Sequence, residues 1–106
     1  MRGPFALRPL SVDLSVPCRV GGVYCLAKEP RRVCYVGRAD RDLRDAIKAH
    51  SDQYLYFWYE PALTPREGYT AECYQYHKHA DAGEMKDAKH PVPPDKLDEK
   101  CPVCGK

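Results

Sequence analysis

Long apolar runs are what this 106-residue sequence most plainly lacks. Charged residues interrupt every window well short of the ~20 apolar residues that a membrane-crossing helix needs. The first twenty residues carry Arg2, Pro4, Arg8, Pro9, Asp13 and Pro17, and hold no apolar region of signal-peptide length. The expectation is therefore an intracellular, cytoplasmic protein. An excess of one charge is missing too. Against 17 Lys and Arg stand 15 Asp and Glu, so the chain is no histone-like polycation, and any nucleic-acid contact must come from a local patch. Internal repeats and low-complexity blocks are absent. At this length one domain is the economical reading, near the lower limit for a core built without help, and a structural metal suits such a chain. Without a secretory signal, the 6 cysteines read as buried thiols and metal ligands in preference to a disulfide framework.

What the sequence does have is a hairpin. Two short apolar runs, Gly21-Gly22-Val23-Tyr24-Cys25-Leu26-Ala27 and Val33-Cys34-Tyr35-Val36-Gly37, flank the polar Lys28-Glu29-Pro30-Arg31-Arg32. Two β-rich segments around a polar turn predict antiparallel strands. The pairing puts Tyr24 and Tyr35 on neighbouring strands, and the glycines permit close approach of backbone or ligand. Upstream, the alternating Phe5, Leu7, Leu10, Val12, Leu14 and Val16 predict an irregular or extended arm along a sheet edge.

Downstream, Asp40 suits the N-cap of a helix whose Leu43, Ala46, Ile47 and His50 fall on one face. The aromatic stretch Gln53–Glu60 is too short and too β-prone for a helix and predicts a third strand. One of its alternating sets, Tyr54/Tyr56/Trp58 or Leu55/Phe57/Tyr59, is then a candidate exposed stacking surface, with core as the plainer reading. Thr64-Pro65-Arg66-Glu67 opens a second helix with three concurrent signals: a Thr N-cap, Pro at the first helical position and Glu completing a capping box. On that helix Tyr69, Glu72, Cys73, Tyr76 and Ala80 share a face, which sets a carboxylate among aromatic and apolar neighbours. Periodicity ends there, and His90-Pro91-Val92-Pro93-Pro94 cannot be helix. A charged linker leads to Cys101-Pro102-Val103-Cys104-Gly105.

The paired tripeptides Gly22-Val23-Tyr24 and Tyr35-Val36-Gly37, followed by helix, strand and helix, resemble the GIY-YIG nuclease superfamily over roughly residues 20–94. The resemblance implies an α+β fold (α/β in the broad sense): a small antiparallel three-stranded sheet flanked by helices. It also implies a metal-dependent endonuclease that hydrolyses DNA. Tyr24 and Tyr35 correspond to the motif tyrosines, the first of which helps deprotonate the attacking water. His50 matches a basic or imidazole position, and Glu72 the carboxylate that holds one Mg²⁺ or Mn²⁺. Arg38, directly after Gly37, is placed to hold a phosphate. Two positions depart from the family pattern. Ala46 stands where an arginine is usual, with Arg41 or Arg44 as possible substitutes from a neighbouring turn, and Asp87 stands where an asparagine is usual.

The tail is a second candidate site. A knuckle-like turn of Cys101 and Cys104 supplies half of a Zn²⁺ site, and Cys73 with His77 at i, i+4, or His90 with either, are candidates for the rest. The domain division is an arm at 1–20, a core at 21–94, and a linker and tail at 95–106 packed back on the core. Plainer readings stand beside these. The tyrosines can be core residues, Glu72 a solvated helix glutamate, His50 a helix-terminal residue, and the tail a free dithiol. Two functional alternatives follow: a catalytically silent nucleic-acid or protein-binding module, and a zinc-stapled interaction module.

Overall fold

The computed structural model describes residues 1–81, 91–93, 101–103 and 105. In chain order come β1 (Arg2–Ala6), α1 (Pro9–Ser15), β2 (Gly22–Glu29), β3 (Arg32–Ala39), α2 (Leu43–Lys48), β4 (Tyr56–Pro61) and α3 (Pro65–Asp81). They form an α+β fold around one antiparallel four-stranded sheet of order β1-β4-β2-β3. The three strands expected from sequence are present, and Arg2–Ala6 adds a fourth at the edge of β4.

The central strand, β2, is buried from Gly22 to Ala27 and so reads as a continuous apolar run. Its partner β3 is an edge strand. The hairpin is tighter than the polar segment implies, since Glu29 already pairs with Arg32 and only Pro30 and Arg31 make the turn. Leu26 faces Tyr35 but Ala27 faces Val33, so Cys34 is an inserted residue, a β-bulge. The bulge sends Cys34 and Tyr35 together toward one face while Val33 and Val36 remain on the other.

Each face of the sheet has its own core. On one, Tyr24, Leu26, Phe57 and Tyr59 pack with Val12 and Val16 of the α1 region and with Leu43 and Ile47 of α2. On the other, Val23, Cys25, Val33 and Val36 pack with Trp58 and with Ala71 of α3. Neither alternating set of the aromatic stretch is a free stacking surface: Phe57 and Tyr59 are core, Tyr54 is buried, and Tyr56 and Trp58 are half-buried.

Several local expectations are corrected. The N-terminal arm is strand plus helix, because Val12 and Val16 lie one helical turn apart and seat in the core, while Leu10 and Leu14 face solvent. The cap of α2 is Asp42, whose Oδ1 accepts from the Asp45 N–H at 3.2 Å. Asp40 instead takes part in an ion pair with Arg38. The third expected strand begins at Tyr56, the segment before it being held by the Leu55 N–H on the Ala27 carbonyl. The start of α3 is as the sequence dictates. The Glu67 N–H donates to Thr64 Oγ1 at 3.1 Å, and the Glu67 carboxylate reaches back to the Leu63 N–H. Among the described residues, no helix is long and apolar enough to cross a membrane.

Cys25, almost fully enclosed between β2 and α3, has its thiol pushed by burial from an ordinary 9.0 up to about 12. The folded state therefore holds a proton that the unfolded chain releases. This contribution is complete below pH 9.0 and is lost as pH rises toward about 12. Melting temperatures measured from pH 8 upward are expected to fall through that window, and Cys25→Ala, though less stable at neutral pH, to show a shallower fall.

Candidate active site

The two hairpin tyrosines come together through the edge of β3. Tyr24 lies opposite Gly37, and its ring crosses that glycine so closely that a Cβ there would sit 2.5 Å from Cζ and 2.6 Å from the phenol oxygen. The absence of a side chain at Gly37 is therefore what lets the phenol reach the sheet edge. The bulge at Cys34 puts Tyr35 on the same face, stacked on Tyr24 with ring centroids 6.1 Å apart.

His50 closes the cluster from the turn after α2, its ring 5.1 Å from Tyr35 and 5.9 Å from Tyr24. It stands two residues beyond the end of the helix, where its N–H bonds to the Ile47 carbonyl. Its Nδ1 lies 3.1 Å from Gln53 Oε1, and its Nε2 lies 3.4 Å from the Tyr24 hydroxyl. An amide oxygen only accepts, so this network places the ring proton on Nδ1 and leaves Nε2 to accept from Tyr24 O–H. Tyr54, buried and edge-on to His50 at 6.2 Å, is a further wall. Only the aromatic character of its stretch could have suggested it.

Arg38 follows Gly37 and points to the opposite face. Its Nη1 donates to Glu72 Oε1 at 2.9 Å and to the Val92 carbonyl at 2.8 Å, and its Nε to Asp40 Oδ1 at 2.8 Å. The guanidinium also lies over the Tyr69 ring at 5.6 Å. Its Nη2 has no bonded partner among the described residues, which leaves two N–H donors for an incoming oxyanion. Glu72 is a buried carboxylate of α3, not a solvated one. Asp40 and Val92 were not expected in this network. The i, i+2 spacing of Arg38 and Asp40 along an extended chain, which puts both on one face, was the available signal for the first.

The two halves are within electrostatic reach. Burial is the main cause that pushes the Tyr24 phenol well above the ordinary tyrosine value, followed by the Tyr35 phenol and then by the Glu72 charge. Tyr24, Tyr35 and His50 thus cluster on one face at the β3 edge, and Arg38 with Glu72 lies on the other.

Other expected residues lie elsewhere. Arg44 does not stand in for the arginine replaced by Ala46: it donates to the Val16 carbonyl at 2.7 Å and the Asp13 carbonyl at 3.0 Å, closing the end of α1. Arg41 is exposed. Asp87, His90 and Cys104 lie outside the described residues. Of the zinc candidates, Cys73 and Cys101 share a small buried cluster with Tyr69, and Cys101 Sγ is 3.4 Å from His77 Nε2. Among the described residues no group of three His, Cys, Asp or Glu could hold a metal ion. No protein family, no curated protein and no solved structure matches the chain.

Gly37→Ala and Gly68→Ala are expected to act in opposite directions. At Gly37 the new methyl meets the Tyr24 ring, and urea denaturation should show a loss of about 1–3 kcal/mol. At Gly68, on α3, it meets Arg38 Cδ at an ordinary 3.5 Å, and stability should rise by up to about 1 kcal/mol as a helical glycine is removed.

Proposed function

We propose that the chain is a GIY-YIG-like nuclease core with a C-terminal metal-binding tail, acting as a metal-dependent endonuclease that hydrolyses DNA phosphodiester bonds. The observation that carries this reading is the pair of half-sites that β3 sets on its two faces at the neighbouring Gly37 and Arg38. From one face come Tyr24, Tyr35 and His50; from the other come Arg38 and Glu72, with the Glu72 charge felt at the Tyr24 phenol.

A buried carboxylate beside a partly exposed strand edge suits Mg²⁺ or Mn²⁺, hard ions that take one or two carboxylates along with water and phosphate oxygens. Bound at Glu72, such an ion would neutralise the scissile phosphate and stabilise the leaving oxygen. Tyr24 donates its O–H to His50 Nε2. As the phenol oxygen takes a proton from the attacking water, its own proton passes to that nitrogen. The relay avoids a free phenolate, which burial opposes. Gln53 holds the imidazole in the accepting tautomer. The two N–H groups of Arg38 Nη2 bind a non-bridging phosphate oxygen, with Glu72 and Asp40 fixing the guanidinium plane.

One observation favours a second reading, a catalytically silent nucleic-acid or protein-binding module. Ala46 cannot stabilise a pentacovalent phosphate, and Arg44 is engaged with α1. Nicking of supercoiled plasmid by purified protein with Mg²⁺ or Mn²⁺ decides between them. The nuclease reading expects cleavage by the wild type and a loss of about 100-fold or more in Tyr24→Phe and in Glu72→Ala. Folded protein that binds DNA in a salt-sensitive way without cutting it is the silent module. Protein that does neither leaves a silent protein-binding module or the zinc-stapled interaction module.

A further inference from the structure

Helix α3 packs across β2 and β3, and the stripe it turns to the sheet changes character halfway along. Ala71 sits on the core of Val23, Cys25, Val33 and Val36. The next positions on that stripe, at i+4 and i+7, are Gln75 and Lys78. A helix that only covered the sheet would carry Leu or Val at both, because Cys25 and Val33 lie beneath. With an amide and an ammonium there, the second half of α3 leaves the face unsealed. The result is a cleft of about 290 Å³ between α3, the sheet and the hairpin turn.

The cleft has an apolar floor and basic walls. Cys25 and Val33 are buried in the floor beside the half-buried Trp58. The indole lies against β1 at Gly3, where a Cβ would be 2.8 Å from Trp58 Cδ1. Arg31 of the hairpin turn and Lys78 of α3 are exposed on the walls, and neither forms an ion pair among the described residues. No carboxylate of the described residues lines the cleft. Burial raises the Cys25 thiol, and the Lys78 ammonium is the charge that most opposes this, so that charge is felt at the floor. In a chain whose acids and bases nearly balance, this is a local positive patch.

The mixture of groups narrows the ligand. An inorganic anion would use the two cations and leave Trp58 idle, and an apolar ligand would desolvate the cations for no return. A planar heterocycle joined to a phosphate uses every wall. Its base stacks on the indole, its polar edge meets the Gln75 amide, which both donates and accepts, and its phosphate meets Arg31 and Lys78. The volume is at the lower end of small-ligand sites, about 300–1,000 Å³, and suits one nucleotide. Bases paired within a duplex offer no free face to stack.

The cleft also continues the proposed site. Glu72, Gln75 and His79 stand at i, i+3 and i+7 on α3, so one face of the helix runs from the Arg38–Glu72 pair into the cleft. From Glu72 to Lys78 the helix rises about 9 Å, a span of two or three stacked nucleotides.

We propose that this cleft binds one unpaired nucleotide of a single-stranded nucleic acid, with the base on Trp58 and the phosphate between Arg31 and Lys78. The path of the strand onward to Arg38 rests on the nuclease reading; nucleotide binding in the cleft does not.

Trp58 is the chain's single tryptophan, so its fluorescence reads the cleft. The full chain is titrated with a short oligothymidylate at low salt in EDTA, where metal-dependent cutting is silent. Saturable quenching is expected with the single strand, at least tenfold weaker binding with the same sequence paired in a duplex, and no quenching with inorganic phosphate. Arg31→Ala and Lys78→Ala should each flatten the log–log salt dependence of binding by about 0.7, as expected for one phosphate contact on a single strand. Lys48→Ala, on α2 across the sheet, should leave it unchanged. Gln75→Leu extends the apolar stripe over Cys25 and Val33; it is expected to keep or raise the melting temperature while losing the quenching, which a merely structural glutamine would not do. Folded wild type that shows no quenching overturns the proposal. So does equal quenching by duplex or by phosphate alone, an unchanged salt slope in both alanine variants, or wild-type binding in Gln75→Leu. Failure of plasmid nicking in Mg²⁺ with quenching intact counts against the nuclease and leaves the cleft standing.

Discussion

Arg38 joins parts of the chain that are far apart in sequence. From β3 it reaches α3 through Glu72, the loop after its own strand through Asp40, and residues 91–93 through the Val92 carbonyl. The Arg38–Glu72 pair is largely withdrawn from water, with side-chain exposures of 13% and 11%. Desolvation offsets much of the attraction in such a pair, so its net stabilisation is modest, but removing one partner leaves the other as an uncompensated buried charge, at a cost of about 3–5 kcal/mol. The pair is thus better understood as fixing where α3 lies against β3 than as a large source of stability. A bidentate fork does this better than a flexible ammonium, because its plane is set by two carboxylates at once.

The other half of the site depends on the same strand through a different device. Alternation along β3 sends Arg38 to the α3 face and Gly37 to the α1 and α2 face. The inserted Cys34 is what brings Tyr35 round to join Tyr24. One bulge and one missing side chain, within four residues, bring a phenol and a carboxylate from opposite faces into electrostatic reach. An edge strand is the natural place for this, since a central strand has neighbours that would keep the faces apart.

The hairpin and the start of α3 were legible because each is specified locally, by a turn between apolar runs and by Thr64, Pro65 and Glu67 in register. The pairing of Tyr24 with Tyr35 was legible in the hairpin itself; the expectation that His50, Arg38 and Glu72 join them came from the family resemblance, since periodicity alone put Glu72 on an apolar face and said nothing of Arg38. The N-terminal strand and helix were not legible, since Leu10, Val12, Leu14 and Val16 satisfy a period of two as well as an i, i+4 pair, and tertiary packing decides which. Asp40 was misassigned for a related reason. Asp40 and Asp42 both precede α2, and the choice between them rests on Arg38 arriving at the first. The role of Arg44 was hidden because it is set by the carbonyls at the end of α1, an element that the sequence did not reveal.

The place of Arg44 bears on what Arg38 must do. Two residues along a helix is a rotation of about 200°, so Arg44 and Ala46 face nearly opposite directions and no rotamer makes them equivalent. Among the described residues, the charges of Arg38, Glu72 and Asp40 in this network sum to negative one. Tyr24 is neutral, and burial makes its ionisation harder still. A phosphodiester entering that site adds a second negative charge next to a low-dielectric wall, where like charges repel strongly. The spare donors of Arg38 can orient the phosphate, but they cannot reverse the sign of the site. In the proposed function a divalent cation is therefore required for the backbone to dock at all, before any bond is broken. That demand is shared by the nuclease and by a silent module that grips nucleic acid at this edge.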